Sequence, residues 1–454
     1  MRAFAVRTAP RLVLLATVTL ALASFSATEP AEPQQPAPPV QPLPGPAEAA
    51  EPAPSGWDPL FIPLAGFDTD QGVGYGLRAM LIWKGPVKPY RLALIGQFFQ
   101  TTREVAIHRI IVDAPEVFGS KWRAGLDFSY RADRFSPYYG LGNDSVYDQE
   151  LDACAARAAL AEDPDTCPDN PRFRGLRYYV YDKRTLPRIS LTLRRELSGP
   201  WKTFGAYRFN LTTIRTEYPQ DLGQRTDSRL VEDAKAGLLT GYDGASKAPF
   251  QLRTGELTAG LIFDSRDHEP APMSGMFNEL SLRGGTPLLG SQFSYWGVNT
   301  HLRIYNRLIP GYDRLVGAAR VLFDVMGGEV PFNMLASFGG VSGGEEGVGG
   351  ITTVRGIFKN RYQGRQKLAF STELRWRFAE TQLFGQDLDF TTVLGVDGGH
   401  AWRELGFQGG GRPHLSGAGG LRIAWNRFMI IRFDYARALT ESSQGWYIDF
   451  DHTF

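Results

Sequence analysis

Gly339 to Arg361 reads GGVSGGEEGVGGITTVRGIFKNR. Glycine at this density defeats a helix, and the stretch is far too long for a turn. Segments that alternate apolar and polar residues flank it on both sides, which makes it a long loop set into a run of β-strands. It ends on Val354-Arg355-Gly356-Ile357-Phe358. A lone arginine between β-branched residues and a glycine suggests a loop tip folded onto something acidic. Further strand-like segments follow, and the sequence closes on an aromatic, Phe454.

Working outward, the dominant period is two. Trp122, Ala124, Leu126, Phe128 and Tyr130 alternate with Arg123, Gly125, Asp127, Ser129 and Arg131. Ile189, Leu191 and Leu193 alternate with Arg188, Ser190, Thr192 and Arg194. Leu374, Trp376 and Phe378 alternate with Glu373, Arg375 and Arg377. The inner face of a soluble sandwich must be apolar, and its outer face rarely carries an arginine at every second position. A barrel whose apolar face meets lipid and whose charged face meets an aqueous lumen fits better. About sixteen such segments fall between Leu60 and Thr453, an even number as bacterial barrels require. The long connections, Asp133–Thr185, Glu217–Gln251 and Met326–Arg365, each follow an odd-numbered strand, and short ones follow even-numbered strands. Short periplasmic turns and long extracellular loops predict that alternation. The expected fold is therefore all-β: a 16-stranded antiparallel transmembrane β-barrel over residues 57–454, with a long lumen-inserted loop carrying Val354-Arg355-Gly356.

Composition agrees. The 454 residues carry 51 glycines and 12% aromatics with a net charge of +1, too neutral for a nucleic-acid footprint. A helical membrane protein of this size would be far more apolar. Residues 1–27 read as a signal peptide: Arg2, Arg7 and Arg11 precede an apolar run from Leu12 to Ala23 that ends in small residues. Residues 28–56 are a Pro/Ala-rich linker unable to form a core. With no longer apolar run, crossing a membrane would take a closed barrel. Cys154 and Cys167, the two cysteines, share one polar segment. In an exported chain the expectation is a disulfide closing a surface loop. Metal binding would need further ligands, and that segment holds no histidine.

Arg355 in a lumen needs acids on nearby inward-facing strands. Glu373 shares its face with Arg375 and Arg377, and Asp397 sits in Leu394-Gly-Val-Asp-Gly-Gly399, where glycines leave room for a loop tip. A guanidinium can grip a carboxylate in a bidentate way and lock the loop. Other motifs weigh less. Gly340-Val-Ser-Gly-Gly344 matches G-x-S-x-G, but the glycines after Ser342 cannot supply the helix a nucleophile elbow needs. His108, His268, His301, His400, His414 and His452 show no metal-ligand spacing. Gly72-Val-Gly-Tyr-Gly76 lacks the helix of a phosphate site. No metal and no cofactor are expected.

Several motifs resemble one family. Thr353-Val-Arg-Gly-Ile-Phe358 is similar to the loop motif of the BamA/TamA superfamily of outer-membrane assembly and secretion barrels. Asp264-Ser-Arg-Asp267 followed by Gly275-Met-Phe277 resembles that family's turn, with Asp264, Arg266, Asp267 and Gly275 at its motif positions. Val396-Asp-Gly-Gly-His-Ala-Trp402, and Gly419-Gly-Leu-Arg-Ile423 with Ile431-Arg-Phe-Asp-Tyr435, resemble later strands. Tyr139-Gly-Leu-Gly-Asn-Asp144 resembles a loop of its bacterial surface-antigen-like members. The resemblance covers roughly Asp58 to Phe454. It implies a sixteen-stranded barrel whose loop after the eleventh strand enters the lumen, with Arg355 engaging Glu373 and Asp397. It also implies a non-enzymatic role in inserting or translocating proteins through the seam between first and last strands. Implied partners are outer-membrane lipids, the barrel assembly machinery during biogenesis, and client proteins. The polypeptide-transport-associated domains usual in the family are not found before the barrel, so client capture is left open.

The last segment, Trp446 to Phe454, puts Trp446, Ile448, Phe450, His452 and Phe454 on one face. It resembles the C-terminal recognition signal of outer-membrane barrels. Two other readings stand beside the leading one: a passive or gated pore with lumen arginines setting selectivity, and an outer-membrane phospholipase, for which no Ser–His–acid set can be assembled.

Overall fold

The computed structural model describes residues 56–85, 90–117, 119–148, 178–216, 227–246, 248–269, 271–341, 346–383, 385–408, 411–425, 429–450 and 452–454. The expected signal peptide, most of the linker, Ser342, and the Cys154–Cys167 pair lie outside the described residues.

Sixteen strands close a single antiparallel barrel in chain order. The first eight are β1 (Gly56–Asp68), β2 (Gly72–Lys84), β3 (Leu92–Thr101), β4 (Val105–Ala114), β5 (Trp122–Pro137), β6 (Val180–Glu196), β7 (Trp201–Arg215) and β8 (Phe250–Asp264). The rest are β9 (Gly275–Gly285), β10 (Tyr295–Ile309), β11 (Tyr312–Gly328), β12 (Gln366–Leu383), β13 (Gln386–Trp402), β14 (His414–Trp425), β15 (Met429–Ala438) and β16 (Gln444–Phe450). No described helix is long and apolar enough to cross a membrane.

The burial is inverted relative to a soluble protein, and alternation is the cause. On β12, Leu374, Trp376 and Phe378 are 41%, 46% and 43% exposed, whereas Glu373 and Arg375 are 3% and 4%. An exterior of leucine, tryptophan and phenylalanine is stable only in hydrocarbon, and it leaves the charged side chains to satisfy one another inside. Strand boundaries track the expectation to within a few residues, except at β5 and β6, which reach further up and shorten the connection between them. Irregularities in their register at Ser129/Arg131 and Asp133/Ser136 interrupt the alternation there and hide the continuing strands from a period-two reading.

The two largest apolar clusters among the described residues position the loop. The connections after β5, β7 and β11 pack Tyr138, Leu230, Val231, Val330 and Phe332 against Tyr181, Ile214 and Met326 at strand ends. Leu230 and Val231 belong to a short helix, α1 (Arg229–Lys235), whose first turn is capped by the Ser228 hydroxyl. The second core is the glycine-rich loop itself. Val348, Val354, Ile357 and Tyr362 bury against Leu322, Ala369 and Ala401 of the wall. The loop thus fills the lumen beside β11 to β15.

Candidate functional site: the lumen loop and the seam

Arg355 is fully buried at the tip of the loop between β11 and β12. Its Nε donates to Asp397 Oδ2 at 2.7 Å and its Nη2 to Asp397 Oδ1 at 3.1 Å, a fork-on-carboxylate geometry. Its backbone N–H donates to the same carboxylate at 3.2 Å. Nη1 lies 3.0 Å from Glu373 Oε1 and 3.2 Å from Asp434 Oδ2. Burial alone would push the guanidinium down, but Asp397, Glu373 and Asp434 outweigh it and hold it well above its ordinary value.

The acids are shared with further arginines of the wall. Arg375 meets Glu373 at 2.8 Å, and Arg422 meets Asp434 at 2.6 Å. Sequence reasoning placed Glu373 and Asp397 beside Arg355 but missed Asp434. Its signal was present: in Ile431-Arg-Phe-Asp-Tyr435 the alternation sets Arg432 and Asp434 on the lumen face.

Glycines let the tip reach the wall. Gly356 has φ +82°, and a Cβ there would come within 2.8 Å of the β15 backbone at Ala436 and Arg437. A Cβ on Gly395 would meet Thr372 O at 2.8 Å and Arg355 Nη2 at 3.2 Å. Gly356 also ties the tip to the last strand: its N–H donates to the Tyr447 hydroxyl at 2.8 Å, and its carbonyl accepts from Ser443 at 2.8 Å. Further along the loop, the Lys359 ammonium lies 3.3 Å from Asp133, and the Lys359 backbone N–H donates to Asp70 at 2.9 Å.

The terminal segment departs from expectation. Trp446 and Ile448 face outward at 60% and 38% exposure, but β16 stops at Phe450 and Phe454 is only 6% exposed. Instead of continuing the outward apolar stripe, residues 452–454 turn into the lumen. Thr453 accepts from Arg355 and Arg432 at its hydroxyl, at 3.2 and 2.8 Å, and from Arg320 at its carbonyl. The Phe454 ring packs on Tyr305 and Ala318, with the guanidinia of Arg320 and Arg375 over it.

A proline stands where the seam ladder would continue. β1 pairs with β16 only at Phe67↔Ile448 and Asp68↔Tyr447, whereas it pairs with β2 along its whole length. Thr69 N–H donates to Trp446 O, so odd-numbered residues of β1 aim their donors across this seam. The unbroken β1–β2 register carries that parity down to Pro63 and Pro59. Extending the seam register puts Pro63 opposite His452, where it has no N–H to give. The ladder loses a bond there, and residues 452–454 find arginine donors in the lumen instead. On the seam side of β1, no described residue of β16 pairs from Gly56 to Gly66.

The turn between β8 and β9 does not join the Arg355 network. Arg266 grips Asp264 through Nε at 2.8 Å and Nη2 at 3.1 Å, while Asp267 accepts from the Met273 and Ser274 N–H groups and pairs with Arg307. Gly275, at φ +102°, passes so close to Ser265 O that a Cβ would stand 2.3 Å from it.

Comparison with known proteins places this geometry. A family model described as the Omp85 superfamily domain matches residues 114–450. Among solved structures, BamA from Haemophilus ducreyi lacking POTRA domains 1-3 aligns with TM-score 0.55 and 15% identity. That alignment covers 87% of this chain and 70% of the other. CdiB from Escherichia coli aligns with TM-score 0.50 and 12% identity, covering 88% and 68%. No curated protein matches the sequence. The family match spans well over half of the 454 residues, and the chain belongs to the Omp85 superfamily as an outer-membrane β-barrel.

Proposed function

We propose that this barrel inserts polypeptides into the outer membrane, or passes them across it, by parting β1 from β16, with the Arg355 network anchoring the lumen loop. The observation that carries the reading is the seam. Two register pairs join β1 to β16, against thirteen between β1 and β2, so this is the cheapest place to open the wall. An edge strand with unsatisfied donors and acceptors is a template for another strand. The Omp85 membership and the BamA-like and CdiB-like fold support the same reading. In this reading residues 1–27 direct export, residues 28–56 link to the barrel, and the assembly machinery places it among outer-membrane lipids. The barrel is not an enzyme, its clients are unfolded polypeptides, and no nucleic acid or cofactor takes part. A passive pore is the weaker reading because the anchored loop occupies the lumen.

The test is a reversible lock. With Cys154 and Cys167 replaced by serine, Phe67→Cys and Ile448→Cys put two thiols on directly opposed residues, within disulfide reach. Proteoliposomes holding the oxidised variant should neither speed the folding of a client barrel nor translocate a secreted client, and reductant should restore the activity. Full activity in the oxidised form would rule out seam opening. Steady single-channel conductance without either activity would favour the pore.

A further inference from the structure

Away from the loop anchor, on the wall formed by β4 to β8, lies a cavity of about 720 Å³. Arg109, Arg123, Arg131, Arg188, Arg194 and Arg208 line it, against the three carboxylates of Asp113, Asp127 and Glu269. Asp113, Arg123 and Arg194 stand at the ends of β4, β5 and β6 that the short turns join, the periplasmic end by loop length. Glu269 lies in the connection between β8 and β9 at that same end, and Gly340–Val341 of the lumen loop form part of the lining. Val341 is held there by its N–H bond to Glu279 at 2.8 Å.

Two of the arginines, Arg194 and Arg208, have no ion pair in place among the described residues. Asp127 serves Arg109, and Asp113 serves Arg123 at 2.8 Å. Arg123 and Arg194 are direct cross-strand partners in the β5–β6 register. Like charges directly opposed destabilise a sheet, so this pair costs stability and returns none. Arg208 has a buried Nε with no hydrogen-bond partner. Among the described residues Arg194 has no carboxylate within ion-pair distance, and Arg208 forms no ion pair although Glu256 is its cross-strand partner. A concave surface with an excess of one sign, walled by low-dielectric protein, concentrates the opposite charge.

We propose that this vestibule binds carboxylate side chains of an acidic, unfolded polypeptide segment arriving from the periplasm. The assignment rests on the insertion or translocation reading above and names the class of segment the barrel would take first. Planar guanidinia match carboxylates and phosphates alike. The lining carries no aromatic ring on which a base could stack. The barrel wall separates the cavity from the acyl chains that a lipid headgroup would bring. Guanidinia that stay partly hydrated, as Arg194 and Arg123 do, bind each carboxylate weakly and release it, which suits a segment in transit.

The experiment uses the full chain in detergent micelles and a fluorescein-labelled, unstructured Glu/Ser peptide, followed by anisotropy. A Gln/Ser peptide of the same length and inorganic pyrophosphate serve as competitors. The acidic peptide should bind, more weakly as salt rises, and the Gln/Ser peptide should not displace it. Arg194→Gln/Arg208→Gln should weaken binding about tenfold with unchanged heat-modifiable migration, and Arg253→Gln, outside the cavity, should leave it unaltered. Equal displacement by the Gln/Ser peptide, or no loss in the double variant, overturns the site. Displacement by pyrophosphate at concentrations well below those of unlabelled acidic peptide shows a phosphate site and overturns the polypeptide assignment. Peptide binding without insertion or translocation in proteoliposomes would refute the functional reading and leave the site standing. Activity with no peptide binding would do the reverse.

Discussion

Arg355→Ala is the perturbation whose outcome the geometry constrains most tightly. Three carboxylates meet this guanidinium, but they depend on it unequally. Glu373 keeps Arg375 at 2.8 Å, and Asp434 keeps Arg422 at 2.6 Å. Among the described residues Asp397 has no other ion-pair partner, and it also loses the N–H fork that held it. The cost is therefore dominated by one orphaned, fully buried carboxylate. Removing one partner of a buried pair costs about 3–5 kcal/mol. Asp397→Asn in the Arg355→Ala background removes the orphaned charge and should recover about 2 kcal/mol of that loss. Glu373→Gln in the same background should recover nothing, because it strips Arg375 of its acid. The assay is denaturant unfolding of the purified barrel read by heat-modifiable migration, together with protease cleavage inside Gly339–Arg361. Additive losses for Arg355→Ala and Asp397→Asn would show that the two do not interact and would refute the anchored-loop account.

Other outcomes follow from the same contacts. Pro63→Val restores a seam-facing donor opposite His452, so β16 should lengthen and amide exchange at residues 450–454 should slow; unchanged exchange would remove Pro63 as the cause of the turn. Phe454→Ala should lower barrel stability by up to about 3 kcal/mol through the cavity left against Tyr305 and Ala318, and an unshifted unfolding midpoint would count against a packed terminal segment. Half-buried Asp70 is pushed up to about 7, by burial first and then by Asp68 and Glu346, against the Lys359 N–H bond and the Lys359 charge. Its folded state holds a proton that the unfolded chain has lost, so stability falls as pH rises from the ordinary carboxylate range through about 7. Loop cleavage should accordingly be faster at pH 8 than at pH 6 in the parent and insensitive to that change in Asp70→Asn. Cys154 and Cys167 should resist alkylation until reductant is added; free thiols in protein purified without reductant would exclude the expected loop disulfide.

The barrel was legible because its physics is periodic. Lipid outside and charge inside write themselves into every second residue, and the unequal connections reveal which end is which. Glu373 and Asp397 could be named as partners of Arg355 for the same reason, since strand parity fixes which acids face the lumen. Asp434 was missed because its strand lies two further around the wall, where spacing from the loop says nothing. Phe454 illustrates a different limit. Its parity with Trp446 and Ile448 is correct only while the strand persists, and the seam neighbour it would need beyond that point, Pro63, far away in sequence, has no N–H to give. Alternation describes a strand's faces and is silent on whether its neighbour can donate.

That silence matters because seam and plug share bonds. Tyr447, on the strand that closes the barrel, holds Gly356 N–H, and Ser443 just before that strand holds the Gly356 carbonyl. Thr453, just beyond it, joins Arg355 and Arg432. Displacing β16 from β1 sacrifices two register pairs, but carrying β16 outward also strains these contacts to the buried loop tip. The Gly356 bonds are buried and the Thr453 bonds partly so, and leaving a buried donor or acceptor unpaired costs about 1–3 kcal/mol. A thin seam alone would open continually. Coupled to a loop whose guanidinium sits on three acids, the same seam has a barrier set inside the lumen. Loosening the anchor by Arg355→Ala should therefore raise spontaneous seam opening as well as loop mobility. Disulfide trapping between Phe67→Cys and Ile448→Cys reads this directly, because oxidation in the closed state competes with parting. Slower crosslinking in the Arg355→Ala background is the expected result, and an unchanged rate would show that plug and seam move independently.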